Sequence, residues 1–178
     1  MVAHFRPGGR ELVDRLLRPK LAGQPLAGDA ARRFIVHDAD AWSAHPAELA
    51  NAYEPSSSPA PGQPRQVWYF FSPVHRHGSC RCRRVGCAGG GKVKGRWQQQ
   101  RWEKQEEADG LVYEGRTYHV ETGTASAPMS RPRPSGWVMV EYGIVPRDGG
   151  SQPQLVLCVM SRRSSRSSRY GAGNGSRG

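Results

Sequence analysis

Apolar positions recur at helical spacing near the start of the chain and at strand spacing after its middle. Within residues 10–18, RELVDRLLR, Leu12, Val13, Leu16 and Leu17 fall on one face of a helix. Pro19 is expected to end that helix near Arg18, because the residue before a proline is pushed out of the helical region. The stretch LAGQPLAG (21–28) reads as a loop by its Gly and Pro content. RFIVH (33–37) is a short apolar run with the look of a strand, and HPAELANAY (45–53) predicts a short helix with Pro46 suited to its first position. EPSSSPAPGQPRQ (54–66) is a Pro/Ser linker with no core-forming residue.

Beyond the linker the pattern changes. VWYFFSP (67–73) predicts a buried strand closed by Pro73. Its four consecutive aromatics, Trp68 to Phe71, cannot all face one side. Residues 74–96 are basic and rich in Gly and Cys, with no usable periodicity. GRTYHVE (115–121), WVMVEYGIV (137–145) and QLVLCVM (154–160) read as strands, separated by loops over 122–136 and 146–153. Links this short, without helical periodicity, favour antiparallel pairing. The expected fold class is α+β, a twisted antiparallel sheet flanked by a few short helices. One domain over 1–163 is expected, with a low-complexity, disordered Ser/Arg/Gly tail over 164–178.

Composition sharpens this picture. The chain has 178 residues and 19.6 kDa, which leaves no room for a large two-domain enzyme. Leu, Ile, Val and Phe are scarce and the net charge is +11, a balance that ordinarily argues for disorder. Five Trp and six Tyr argue for a small folded core beside long unfolded stretches. No apolar run approaches the roughly 18 residues of a membrane span, and the start, MVAHFRPGGR, lacks the apolar segment of a secretory signal. The charge is segregated. Residues 76–104 carry 9 basic groups and 1 acidic, residues 161–178 carry 5 basic and none acidic, and residues 105–160 are net negative. That is the electrostatic footprint of a polyanion site, with nucleic acid the first candidate.

Other chemistry is thinner. His75, His77, Cys80, Cys82 and Cys87 lie close together, but Cys80 and Cys82 are one residue apart and no distant pair completes a zinc module, so reduced thiols in a loop are expected. No nucleophile elbow, phosphate loop or placed carboxylate pair points to catalysis, and neither a cofactor nor a small-molecule substrate is expected. The aromatic run at 68–71 reads as core rather than as a base-stacking platform.

Five blocks in order resemble the NAC domain of plant transcription factors. HFRPGGREL (4–12), DADAW with PAELA (38–50), VWYFFSP (67–73), WVMVEY (137–142) and VLCVMSRR (156–163) are similar to that family's successive blocks. Between them, GRWQQQRWEK (95–104) aligns without a gap on the family's GYWKATGKDK, so that Gln98 and Trp102 stand where the family has lysines. The resemblance implies a nuclear, sequence-specific regulator of transcription without enzymatic activity. It would bind double-stranded DNA with a β-strand in the major groove and pair with itself or with other NAC proteins.

Carried over by position, the resemblance makes Arg81 and Arg84 backbone contacts and Trp97 the anchor of the strand. Gln98, Gln100 and Arg101 would face the groove, and Lys104 and Arg116 would hold phosphates. Arg83 and Arg96 add charge, and Arg131 and Arg133 lie in a loop where the family carries more. His4, Phe5 and Glu11 fall on the dimer segment, His4 replacing an arginine that pairs with the glutamate. A neutral imidazole near pH 7 then implies a weaker or pH-dependent dimer. The alternative is a degenerate relative that acts through pairing with NAC proteins or through non-specific RNA or DNA binding.

Overall fold

The computed structural model describes residues 8–56, 66–74, 82–85, 95–109, 111–122, 133–146 and 154–162. The first helix is a continuous run in three parts: α1 (Gly9–Leu12), a π-helical turn (Val13–Leu17) and α2 (Arg18–Leu21). The helix thus passes through Pro19 instead of ending before it. A proline inside a helix clashes with the carbonyl four residues back. Here the wider π turn, in which the Arg18 N–H bonds to the Val13 carbonyl, sits immediately before Pro19 and shifts the ladder out of α register. Leu12, Val13, Leu16 and Leu17 are buried as their spacing predicts.

A further helix, α3 (Gly28–Arg33), lies between the expected loop (21–28) and the expected strand (33–37), taking one residue from each. Its six residues bury only Ala30, too little apolar signal for a pattern to register. The strand β1 (Val36–Asp38) follows, then α4 (Pro46–Ala52) with Pro46 in its first turn. The remaining strands are β2 (Val67–Pro73), β3 (Cys82–Val85), β4 (Gly95–Glu106), β5 (Val112–Thr122), β6 (Arg133–Ile144) and β7 (Leu155–Arg162).

All seven join one sheet in the order β1-β2-β7-β6-β5-β4-β3. Every pairing is antiparallel except β1 with β2, which is parallel. A parallel pair needs a long crossover, and the segment carrying α4 supplies it. The fold is α+β with a mixed rather than wholly antiparallel sheet.

The sheet is covered on both faces near β2 and β7. The aromatic run divides by alternation, as two-residue strand periodicity requires. Trp68 and Phe70 join Trp97, Tyr118, Met139 and Cys158 in a cluster closed by Trp42 and Leu49. Tyr69 and Phe71 join Leu157 in a second cluster, closed by Leu12, Leu16, Leu17 and Phe34. Two buried serines tie the irregular chain to this frame. Ser72 Oγ accepts from the Ala41 N–H (2.9 Å) and donates to the Ala39 carbonyl (3.0 Å), and Ser56 Oγ accepts from the Ile35 N–H (3.2 Å). The cover ends at the root of β4 with Trp97, and the outer half of that strand carries exposed side chains on both faces.

Candidate nucleic-acid interface

The outer end of the sheet brings the basic segment together by backbone register. β3 pairs with the root of β4, setting Cys82 opposite Gln98, Arg83 opposite Trp97 and Arg84 opposite Arg96. On its other side β4 pairs with β5 along nearly its whole length. β3 reaches only Gly95–Gln98, so among the described residues no strand pairs with Gln99–Glu106 on the side away from β5. This half of β4 is a sheet edge whose backbone groups on that side take no part in the ladder.

A bulge fixes which side chains share a face. Gln99 lies opposite Tyr118 and Arg101 opposite Thr117, so Gln100 is the extra residue. Before it, Trp97 and Gln99 share the face of Tyr118 and Val120. After it, Trp102 and Lys104 take that face, opposite Arg116 and Glu114. Gln98 and Arg101 therefore belong together on the other face, with the register positions of Arg84 and Arg96. Unbroken alternation would have grouped Gln98 with Gln100 and set Arg101 apart.

Trp97 is 1% exposed and meets Trp42 edge-on, with ring centroids 6.0 Å apart. It fills the first cluster. Gln98 is half-buried, and Gln100, Arg101 and Lys104 are exposed. Arg101 forms an ion pair with Glu103 two positions along the strand. Arg116 is held by Glu114 at 2.7 Å. Burial works against its charge, but Glu114, Tyr118 and Glu141 together outweigh that and raise its pKa. Arg116 is thus already committed to carboxylates within its own sheet.

Arg81, Arg131, His4 and Phe5 lie outside the described residues, as do His75, His77, Cys80 and Cys87 of the cysteine-rich segment. Glu11 is in the first helix, 17% exposed at its side chain, 3.2 Å from Arg15 and 3.9 Å from Arg33. An intermolecular partner for Glu11 would compete with those two arginines.

One functional contact escaped the sequence reading. Arg10, in the first turn of α1, reaches the β4–β5 turn and grips Asp109 with both terminal nitrogens, at 2.7 and 3.2 Å. It also bonds Asp14 and lies 3.6 Å from Glu107. Asp109 in turn accepts from the Leu111 N–H. The Arg10 hydrogen bond, then that backbone N–H, pull the Asp109 carboxyl down to about 2. The tip of the edge hairpin is thereby latched to the N-terminal helix. The two partners are 99 residues apart, and neither belongs to any spacing pattern.

Charge divides β4 lengthwise. Its root and β3 hold Arg83, Arg84 and Arg96, whereas Glu103, Glu106, Glu107, Asp109 and Glu114 crowd the tip. A two-stranded β-ribbon has the width to enter a major groove, where Gln and Arg can pair with base edges. Among the described residues no helix is long and apolar enough to cross a membrane, and no cluster of His, Cys, Asp and Glu is arranged to hold a metal.

No curated protein matches the chain. The family described as No apical meristem (NAM) protein does, over residues 1–144, a span that ends with β6. β7, the strand that completes the sheet between β2 and β6, lies beyond it. The match covers well over half of the sequence and includes every element from α1 to β6, so the chain belongs to the NAM family, the NAC-domain family of plant transcription factors.

Proposed function

We propose that this protein regulates transcription in the plant nucleus by binding duplex DNA with the outer end of its sheet. β4 enters the major groove edge-on, and the arginines of β3 and the β4 root hold the phosphates. The observation that carries this reading is the register that puts the positions of Arg84, Arg96, Gln98 and Arg101 on one face, beside a strand edge that takes no partner among the described residues. Edge-on entry leaves both faces of β4 available to the groove walls. Membership of a family of transcription factors supports a binding role and not an enzymatic one.

Roles divide as follows. Gln98, Gln100 and Arg101 read base edges. Arg81, Arg83, Arg84, Arg96 and Lys104 contact phosphates, with Arg116 available only at the expense of Glu114. Trp97 supports the strand from beneath without touching DNA. Pairing with a second copy or with another NAC protein runs through the N-terminal segment that holds His4, Phe5 and Glu11.

The test is selection from a randomised duplex pool at about 150 mM salt, read by sequencing. An enriched motif is the expected result. Binding that vanishes as salt rises and shows no enrichment would overturn base reading and leave the alternative, a phosphate-binding relative that acts through its partners.

A further inference from the structure

The family's groove strand has a lysine where this chain has Trp102, and the structure gives that exchange a definite chemistry. Trp102 is 53% exposed, more so than any other large apolar side chain among the described residues. It stands past the bulge at Gln100, on the half of β4 whose side away from β5 pairs with no strand among the described residues. Its indole N–H donates to Glu114 Oε2 at 3.0 Å. The ring's one polar group is therefore occupied within the protein, and that bond fixes the ring's direction across the strand. What remains for a partner is carbon. Arg101 and Lys104 flank it along the strand and Arg116 lies opposite it. Glu114, which it bonds, is also engaged by Arg116, and Glu103, the next residue along the strand, by Arg101. The surroundings are thus compatible with close approach of phosphates.

A major groove offers donors, acceptors and a single apolar group, the methyl on C5 of thymine. An indole with its N–H already satisfied can recognise nothing else there with gain. We propose that Trp102 reads a pyrimidine 5-methyl group, which makes it a specificity-determining residue of this chain. The same chemistry is carried by 5-methylcytosine, so a site with cytosine at the contacted position would be bound more tightly once methylated. This inference rests on the DNA-binding reading above.

The experiment takes the best duplex from the selection and replaces each thymine in turn by uracil, which removes only the methyl group. One position is expected to lose about fourfold in affinity, the worth of one methyl-sized group taken out of water. Placing 5-methylcytosine against cytosine at that position separates the two sources of the methyl: equal gain from both marks a reader of methylation state, and gain from thymine alone a reader of thymine through this methyl. Trp102→Ala is expected to bind thymine and uracil duplexes alike, while Trp102→Phe keeps part of the difference. Because the side chain is exposed, both variants should fold, which circular dichroism checks. Uniform affinity across every thymine-to-uracil exchange, with the motif otherwise intact, would overturn the role of Trp102 and leave the binding function standing. Absence of any duplex binding would overturn both.

Discussion

Replacing Trp97 by alanine separates a residue that supports the edge strand from one that touches DNA. The ring is buried between Trp42 and the sheet, at the one place where the first hydrophobic cluster extends onto β4. Removing so large a buried side chain costs about 3–5 kcal/mol. The lost edge-to-face pair with Trp42 adds ~1 kcal/mol. Against a total stability of about 5–15 kcal/mol for a domain of this kind, Trp97→Ala should lie near the edge of folding. Urea titration followed by tryptophan fluorescence, corrected for the missing ring, measures the loss. Thermal melting should fall by on the order of 10 °C. Trp97→Phe retains an aromatic in the same pocket and should lose less than half as much. The reasoning is refuted if Trp97→Ala unfolds within about 1 kcal/mol of the parent. It is refuted in a second way if Trp97→Phe keeps its stability and yet loses DNA binding, since the ring would then act outside the core.

Other consequences are open to test. Arg84→Ala and Arg96→Ala should each weaken binding evenly across sequences and lower the slope of log affinity against log salt by nearly one unit for each phosphate that is no longer neutralised; an unchanged slope removes that residue from the phosphate set. Asp109→Asn unlatches the hairpin, so amide exchange at Glu107 and Leu111 should quicken while the amides of β2 and β7 do not change. The folded-state pKa of Asp109 lies below its ordinary value, so the latch is at full strength above about pH 4 and fades as pH falls toward about 2, a loss visible in the same exchange experiment. Burial, before the nearby Tyr142 and Glu11, pushes the Tyr69 hydroxyl up to about 12. Its contribution is complete below about pH 10 and is lost as pH rises through about 12. Ultraviolet titration should then show a phenol that ionises only together with unfolding; ionisation near pH 10 in the folded protein would contradict the burial. Sedimentation at pH 6 and pH 8 addresses the N-terminal pairing, with tighter dimers expected at pH 6, where His4 carries charge.

Much of the frame was legible because periodicity records burial. The alternating aromatics of β2 serve two cores, and the heptad-like leucines of the first helix all reach the second. Where burial leaves no periodic trace, the reading stopped. β3 lies in a basic, glycine-rich stretch whose pairing with β4 is a matter of backbone register. The continuation of the helix through Pro19 depends on a π turn that has no residue signature. The candidate interface was legible as charge and as resemblance, yet its faces were not. They depend on one extra residue at Gln100, and strict alternation assigns Arg101 to the wrong side. The Arg10–Asp109 latch is a long-range ion pair between ordinary surface residues, and nothing local announces it.

The order of strands has a consequence for how the chain is made. β2 finds its partner in β7, with Phe70 opposite Cys158, and the first helix packs its leucines against that same seam through Leu157. A ribosome adds roughly 5–20 residues per second, so the roughly 80 residues between those strands take several seconds to emerge. Throughout that interval the aromatic β2 has β1 and the N-terminal helices beside it but not the strand that covers its other edge. The domain is zipped shut late, by β7, and until then the newborn polypeptide carries an open edge of β2 along its most aromatic segment.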